Sequence, residues 1–317
     1  MGCTYNELLN CIKDNLTTQQ IKKKLNISDK ELLNSIKNLK KNDYLITKNA
    51  YYNGTVDYTL GLPITNYLNG YPLYTLYSED EIRLMIISDI HMFNKKESIN
   101  ALYTLYNYCI DNNIHVIVNC GDMLDALFCN KTKIEDQGSE FIKRYPYDNS
   151  IINLALMGNH EVLYSKKSGI DFNKLLEDNR LDFKTLGYKN ASILIKDDCI
   201  NLHHNIDNCN SSINPSGSRL SFNGHSHIHR VNDKIINVPT LSYVKVDNLK
   251  NFSCFPMALD VTLTFDDNRC INECVIDQIA VTDNPFILSE SIIKCKSNPA
   301  YKDMNFELDS YSRVRSK

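Results

Sequence analysis

The sequence predicts an α/β fold in which two sheets pack together between flanking helices, with a small helical module in front. Three observations carry that reading. Between residues 82 and 156, apolar runs of strand length alternate with helical stretches, the pattern of βαβ units. From about residue 191 to 278 strand-like runs dominate, which calls for a second sheet beside the first. Residues 5–45 instead show a 3.6-residue periodicity in three bursts.

Taken in order, Leu8, Leu9, Ile12 and Leu16, then Ile21 and Leu25, then Leu32, Leu33, Ile36 and Leu39 mark three short helices. Thr17-Thr18 and Ser28-Asp29 offer caps for the second and third, and Glu31 adds a carboxylate to the third helix's first turn. On that helix Lys30, Asn34, Lys37 and Lys41 lie opposite the apolar stripe and form a basic outer face. Tyr44 to Thr47 and Asp57 to Leu60 read as two strands joined through Asn53-Gly54, a favoured hairpin signal. Three helices and a hairpin resemble the winged helix-turn-helix module, with Ser28 to Lys41 in the recognition position and Tyr51-Tyr52 in the wing. The resemblance covers residues 1–62 and implies contact with nucleic acid. Against it stands the absence of Arg from the module, since Arg is the usual bidentate reader of bases and phosphates; assembly or protein binding is the competing use.

Residues 63–81, with Pro63, Gly70, Pro72 and many Tyr, read as a linker. The larger domain begins after it, over residues 82–280, with strands at 83–88, 114–119 and 151–156 and helices near 97–113 and 132–143. Residues 281–317 remain as a C-terminal extension.

Composition excludes several function classes. The 317 residues are 43 % hydrophobic, enough for about two domains with real cores. Net charge is −3, but residues 1–60 hold nine Lys against six Asp and Glu, a balance of +3 that leaves −6 for the remainder. No global polyanion-binding field exists, and the N-terminal part is the side suited to meet one. Eleven Cys in no regular framework, without a secretory leader, point to a reducing, cytoplasmic setting. Cys270 and Cys274 lack a second pair at zinc spacing, so no structural zinc is expected. No apolar run reaches the roughly 18 residues of a membrane span, and Asn6 stands where a myristoylation signal wants Ser or Thr.

The chemistry sits at five strand ends. Leu84 to Ser88 runs into Asp89-Ile90-His91; side chains two apart on an extended chain point the same way, so Asp89 and His91 can grip one cation while Ile90 stays in the core. Val116 to Cys120 runs into Gly121-Asp122, and Ile151 to Met157 into Gly158-Asn159-His160-Glu161. Ile200 to Leu202 runs into His203-His204, and Leu220 to Asn223 into Gly224-His225-Ser226-His227. A glycine there lets the backbone turn tightly beside a ligand. Seven of the eight His residues lie in or beside these clusters, and His115 alone stands apart.

In this order the five motifs resemble those of the calcineurin-like metallophosphoesterases, over residues 82–278. The resemblance implies an αββα sandwich and a metal-dependent phosphoesterase with two divalent cations, Mn first, Fe or Zn as alternatives for so mixed a donor set. It assigns Asp89, His91 and His227 to the first metal, Asn159, His225 and one of His203 and His204 to the second, and Asp122 to the bridge. Strand alternation through Ile200 and Leu202 favours His204, and both stay open. Two cations about 3.5–4 Å apart would clamp a phosphate ester and supply a nucleophile near neutral pH. By the same resemblance His160 protonates the leaving oxygen or orients the phosphate, and Glu161 fixes its tautomer. Asp125 falls near the substrate or behind a ligand, His229 at the substrate rim or on plain surface, and Arg144 and Arg180 are available for a phosphate oxygen.

Two departures narrow the choice. Asp125 is followed by Ala126-Leu127 where protein serine/threonine phosphatases continue with Arg-Gly, and break-repair nucleases of the superfamily carry His at the Asp125 position and Asp after Gly-Asn-His. The expectation is a phosphodiesterase or nuclease docked on nucleic acid through residues 1–62. One alternative is a phosphodiesterase of cyclic nucleotides or other small esters, its module used for assembly into a homo-oligomer. The other is a DNA-binding regulator with an inactive phosphoesterase fold, against which no expected ligand is missing.

Overall fold

The computed structural model describes residues 5–61, 66–68, 71–76, 81–126, 132–204, 220–243 and 255–295. Helices α1 (Tyr5–Lys13), α2 (Thr18–Leu25) and α3 (Asp29–Lys41) come first, followed by the antiparallel hairpin β1 (Ile46–Ala50) and β2 (Val56–Leu60). Capping boxes start α2 and α3: Thr17 with Gln20 and Ser28 with Glu31 satisfy each other's backbone donors. Their apolar stripes converge, Leu8, Ile12, Ile21, Leu32, Ile36 and Leu39 packing with Tyr58 of β2. Lys30, Asn34, Lys37 and Lys41 face solvent.

Beyond them come β3 (Asn66–Leu68), β4 (Tyr71–Leu76), β5 (Ile82–Ile87), α4 (Ile99–Asp111), β6 (Val116–Asn119), α5 (Ile134–Arg144), β7 (Ile152–Met157), α6 (Asn159–Ser168), α7 (Phe172–Asn179) and β8 (Phe183–Tyr188). The remaining strands are β9 (Asn190–Ile195), β10 (Asp198–His203), β11 (Leu220–Asn223), β12 (Arg230–Asn232), β13 (Ile235–Asn237), β14 (Met257–Phe265), β15 (Ile271–Ala280) and β16 (Phe286–Lys294). They form two seven-stranded sheets, in the orders β16-β15-β14-β5-β6-β7-β8 and β12-β13-β11-β10-β9-β4-β3. One apolar layer, including Leu84, Ile86, Val118, Leu154, Ile193 and Leu202, lies between the sheets; a second, with Met85, Ile117, Leu102 and Phe141, lies under α4 and α5. Strands β5 to β8 are mutually parallel, and β5, β6 and β7 are almost wholly buried and mostly apolar, as expected where both faces are covered, while β8 at the edge carries Lys184 and Thr185.

Two of the expected boundaries are corrected. The stretch read as a linker over 63–81 contributes β3 and β4, and β4 joins the second sheet alongside β9. Pro72 misled because proline argues against a central strand, but the ladder to β9 starts one residue later, at Leu73. The C-terminal extension from 281 contains β16, which pairs antiparallel with β15 and carries the first sheet on to Lys294. Helices α6 and α7 occupy a stretch for which no helix was expected.

The N-terminal module docks at the foot of the parallel strands. Tyr52 Oη accepts from the backbone N–H of Arg83 (2.7 Å) beneath β5, and a Cβ on Gly54 would lie 2.1 Å from the carbonyl oxygen of Ser150, just before β7. The hairpin read as the wing, with Tyr51-Tyr52, is thus turned against the two-sheet body. Beneath β8, Lys48 is buried and its Nζ donates to the carbonyls of Glu177, Arg180 and Phe183 at 3.0, 2.8 and 3.1 Å. Arg180 meets Asp182 with two nitrogens (2.8 and 2.7 Å) and donates to the carbonyls of Tyr145 and Pro146 at 2.9 and 2.6 Å. No helix among the described residues is long and apolar enough to cross a membrane.

Candidate metal centre

At the head of the same strands, the loops leaving β5 and β6 run side by side: the N–H groups of Asp89, His91 and Met92 donate to the carbonyls of Gly121, Asp122 and Met123 at 2.9, 3.0 and 2.8 Å. The backbone there is unusual for residues with side chains. Asp89, His91, Asp122, His225 and His227 all have positive φ, between 48° and 71°, a conformation that costs on the order of 1–3 kcal/mol at a non-glycine residue and collects at functional sites. Gly158 is demanded by close approach, since a Cβ would sit 2.2 Å from Asp122 Oδ1.

Among the described residues, three triads of potential ligands emerge, each with its ligand atoms within 4.8 Å of one another: Asp89 with His91 and His227, His91 with Asp122 and His160, and Asp122 with His204 and His225. Shared members make them one continuous centre. In the first, His91 Nε2 and His227 Nε2 are 3.2 Å apart and both face Asp89 Oδ1, at 3.7 and 3.2 Å. In the last, His204 Nε2 lies 3.0 Å from Asp122 Oδ2 and 3.1 Å from Asn159 Oδ1. The backbone N–H of His225 donates to Asp89 Oδ2 (2.9 Å), which ties the two sheets together across the centre.

The donors fit divalent cations. Asp89 Oδ1 and His91 Nδ1 are buried and accept or donate no hydrogen bond, a costly arrangement unless something charged takes their place. Carboxylates, imidazoles and one amide oxygen are ligands for a transition-series ion or Zn. His204 shows how a ligand is aimed: its Nδ1 meets the carbonyl of Cys120 at 2.7 Å, so Nδ1 carries the proton and Nε2 turns inward. In the metal-free protein, burial opposes charge on Asp89, but His227 and His91 hold its carboxyl well below the usual range. Burial likewise lowers His204, yet adjacent Asp122 overrides it and raises the imidazole to about 9.

Of the two candidates at the end of β10, the structure brings His204 into the centre. His203 points away, its Nδ1 2.9 Å from Asn190 Oδ1, and burial lowers it to about 4. His160 stands at the rim, its ring 4.7 Å from that of His91, its backbone N–H donating to Asp122 Oδ1 (2.9 Å) and its Nε2 3.8 Å from Asp122 Oδ2.

The role expected of Glu161 is corrected. Its carboxylate accepts from the backbone N–H groups of Asp122, Leu124 and Gly158 at 3.0, 2.7 and 2.8 Å, splinting the β6 loop to the start of α6. Neighbours on a helix diverge by about 100°, so Glu161 and His160 cannot share a direction. Asp125 takes the place beside the ring: its Oδ1 is 3.5 Å from His160 Nδ1, and its other oxygen accepts from the Asn94 side chain. Burial opposes charge on His160, but Asp125 and Asp122 raise it above its ordinary value. The remaining candidates lie off the centre. His229 Nδ1 meets the carbonyl of Asn237 (3.1 Å) between β12 and β13. Arg144 pairs with Glu97 (2.7 Å) over the ring of Phe93, and Arg180 is the buried residue at the opposite end of the sheet.

A family model described as calcineurin-like phosphoesterase matches residues 82–256. Among solved structures, Yfce, a phosphoesterase from E. coli, aligns at 16 % identity and a TM-score of 0.36, over 66 % of this chain and 98 % of its own. The calcineurin-like phosphoesterase YfkN from Bacillus subtilis aligns at 8 % and 0.32, over 71 % and 95 %. The nuclease MPE from Pseudomonas putida aligns at 12 % and 0.30, over 57 % and 84 %. No curated protein matches the chain.

Proposed function

The chain belongs to the calcineurin-like phosphoesterase family and is a metal-dependent phosphoesterase; from that premise we propose that it hydrolyses phosphodiesters, with nucleic acid as the substrate. The observation that carries the diester reading is the fate of the arginines. Arg144 is bound to Glu97 and Arg180 to Asp182, so each guanidinium already has a carboxylate partner. With both engaged, the groups at the centre that meet the phosphate, among the described residues, are its imidazoles and the cations they would hold. That supply suits the single charge of a diester better than the double charge of a monoester.

Asp89, His91 and His227 would hold one cation, Asn159, His204 and His225 the other, with Asp122 between them. Bound divalent cations would neutralise the phosphate oxygens and lower the pKa of the attacking water. His160, kept upright by Asp125 and by its own N–H to Asp122, delivers a proton to the leaving oxygen. Asp125 and Asp122 raise its pKa above the ordinary imidazole value, which favours the protonated ring. Glu161 holds the loop that presents Asp122 at fixed distance from α6.

Nucleic acid as substrate is supported by the exposed Lys30, Lys37 and Lys41 on α3. A second reading, small diesters such as cyclic nucleotides, is favoured by the inward-turned hairpin, which makes the module part of the scaffold. The deciding measurement is a Mn-loaded panel of bis-p-nitrophenyl phosphate, p-nitrophenyl phosphate, linear DNA, RNA and cyclic nucleotides. Diester turnover well above monoester turnover, lost in Asp122→Asn, is expected; the reverse preference overturns the diester reading. Cleavage of DNA or RNA that weakens with salt and in a Lys30/Lys37/Lys41→Ala variant is the nucleic-acid outcome, and cleavage of cyclic nucleotides alone selects the second reading.

A further inference from the structure

Beside the centre lies a cavity of about 310 Å³ that the reaction above does not use. Its walls are the first turns of α4, with Ile99, Asn100 and Thr104, the segment just past β15, with Val281 and Asp283, and the ring-bearing Tyr243. Topology puts it at the head of the strands. β14 is antiparallel to β5 and β15 antiparallel to β14, so β15 ends on the side where β5 delivers Asp89. It does so two strands over, about 10 Å sideways at the usual strand spacing.

Tyr243 is fixed to the metal centre through a short, well-bonded segment. Thr240 Oγ1 donates to the carbonyl of Asp89 (2.8 Å), the N–H of Leu241 to Ser88 O (3.0 Å), and the N–H of Tyr243 to Lys96 O (3.0 Å). Its side chain is nevertheless 49 % exposed. A large aromatic residue held on bonded backbone, three residues after the Thr240 that bonds the Asp89 carbonyl and outside every apolar cluster, is a stacking face in search of a planar partner.

The polar groups around it select against phosphate and for what is esterified to it. None of the lining residues is Lys or Arg, and of its two carboxylates Glu97 is engaged by Arg144 and the Phe93 N–H, which leaves Asp283 to repel an anion and to accept from amino and hydroxyl groups. Asn100 and Thr104 can donate and accept, while Ile99 and Val281 supply an apolar edge. Cavities of about 300 Å³ are at the small end of ligand sites, the scale of one base with its sugar.

We propose that this cavity receives the nucleoside flanking the scissile phosphate, with Tyr243 stacking on the base and Asp283 and Asn100 bonding its polar edge. The assignment rests on the phosphodiester reading of the metal centre. The test is a titration of adenosine, guanosine, cytidine and thymidine into the full-length protein, followed by calorimetry and NMR, with ribose and inorganic phosphate as controls. Nucleosides should bind where ribose does not, about tenfold or more weakly in Tyr243→Ala, and with most of the affinity restored in Tyr243→Phe, which keeps the ring. Thermal melting establishes that each variant is folded. Turnover gives a second readout: Tyr243→Ala should reduce the preference for a dinucleotide over methyl p-nitrophenyl phosphate by a similar factor. Equal nucleoside affinity in the wild type and Tyr243→Ala overturns the proposal. So does failure to bind any nucleoside by protein that turns over methyl p-nitrophenyl phosphate, which would leave the diester reading intact. Tyr243-dependent nucleoside binding by protein that hydrolyses no diester supports the subsite and removes the reading it was built on.

Discussion

At the foot of β8, Lys48 and Arg180 are buried, and each is fully occupied: three carbonyls take the protons of Lys48, and Asp182 with the carbonyls of Tyr145 and Pro146 takes those of Arg180. At the heads of β5 and β6, Asp89 and His91 are buried as deeply, yet Asp89 Oδ1 makes no hydrogen bond and faces only the imidazoles of His91 and His227, and His91 Nδ1 has no hydrogen-bond partner. The backbone differs in the same sense, with positive φ at five of the residues around the centre. Buried charge that is satisfied within the chain holds the module to the body. Buried charge left over, on a strained backbone, is what a cation can use.

Substitutions at the two ends should therefore separate activity from stability. The largest effect is expected at the head: His160→Gln should lower kcat toward bis-p-nitrophenyl phosphate by roughly 10²–10⁴-fold while the urea midpoint stays put. Arg180→Met at the foot should do the opposite. It strands Asp182 in the interior and should cost about 3–5 kcal/mol of unfolding free energy, with turnover per folded molecule retained; a large loss of specific activity there would break the contrast. The smallest effect sharpens it. His204 is raised from 6.5 to about 9 in the metal-free protein, so the stability it contributes is complete below pH 6.5 and disappears as pH rises through 9. Unfolding free energy measured in EDTA should fall across that window by at most about 3.4 kcal/mol. With Mn present the trend should reverse, because the cation needs the imidazole without its proton.

Much of this was legible in the sequence because the centre is built from strand ends. Asp89, Asp122, His225 and His227 follow apolar runs directly, and apolar runs are what a one-dimensional reading finds best. The misses share a different cause. Asp125 faces His160 only because the β6 loop doubles back under positive φ at Asp122, and nothing in the order of residues announces that. Glu161 was paired with His160 by resemblance, although helix geometry sends the two apart. β4 was hidden by Pro72 and β16 by its serines and glutamate, since both strands owe their place to neighbours far away in the chain, Ser192 to Ile195 and Glu273 to Ala280. The inward turn of the hairpin at Gly54 is likewise a contact between surfaces.

That docking at the foot of the sheet also sets a length. β5 runs six residues, from beneath Tyr52 up to the metal ligands, which at about 3.3 Å per residue is some 20 Å of rigid strand. The module cannot swing to shorten the distance, because Lys48 and Tyr52 are bonded into the body. Any molecule that touches α3 and the metal centre together must reach along this fixed rod, so a mononucleotide cannot bridge the two and a polymer can.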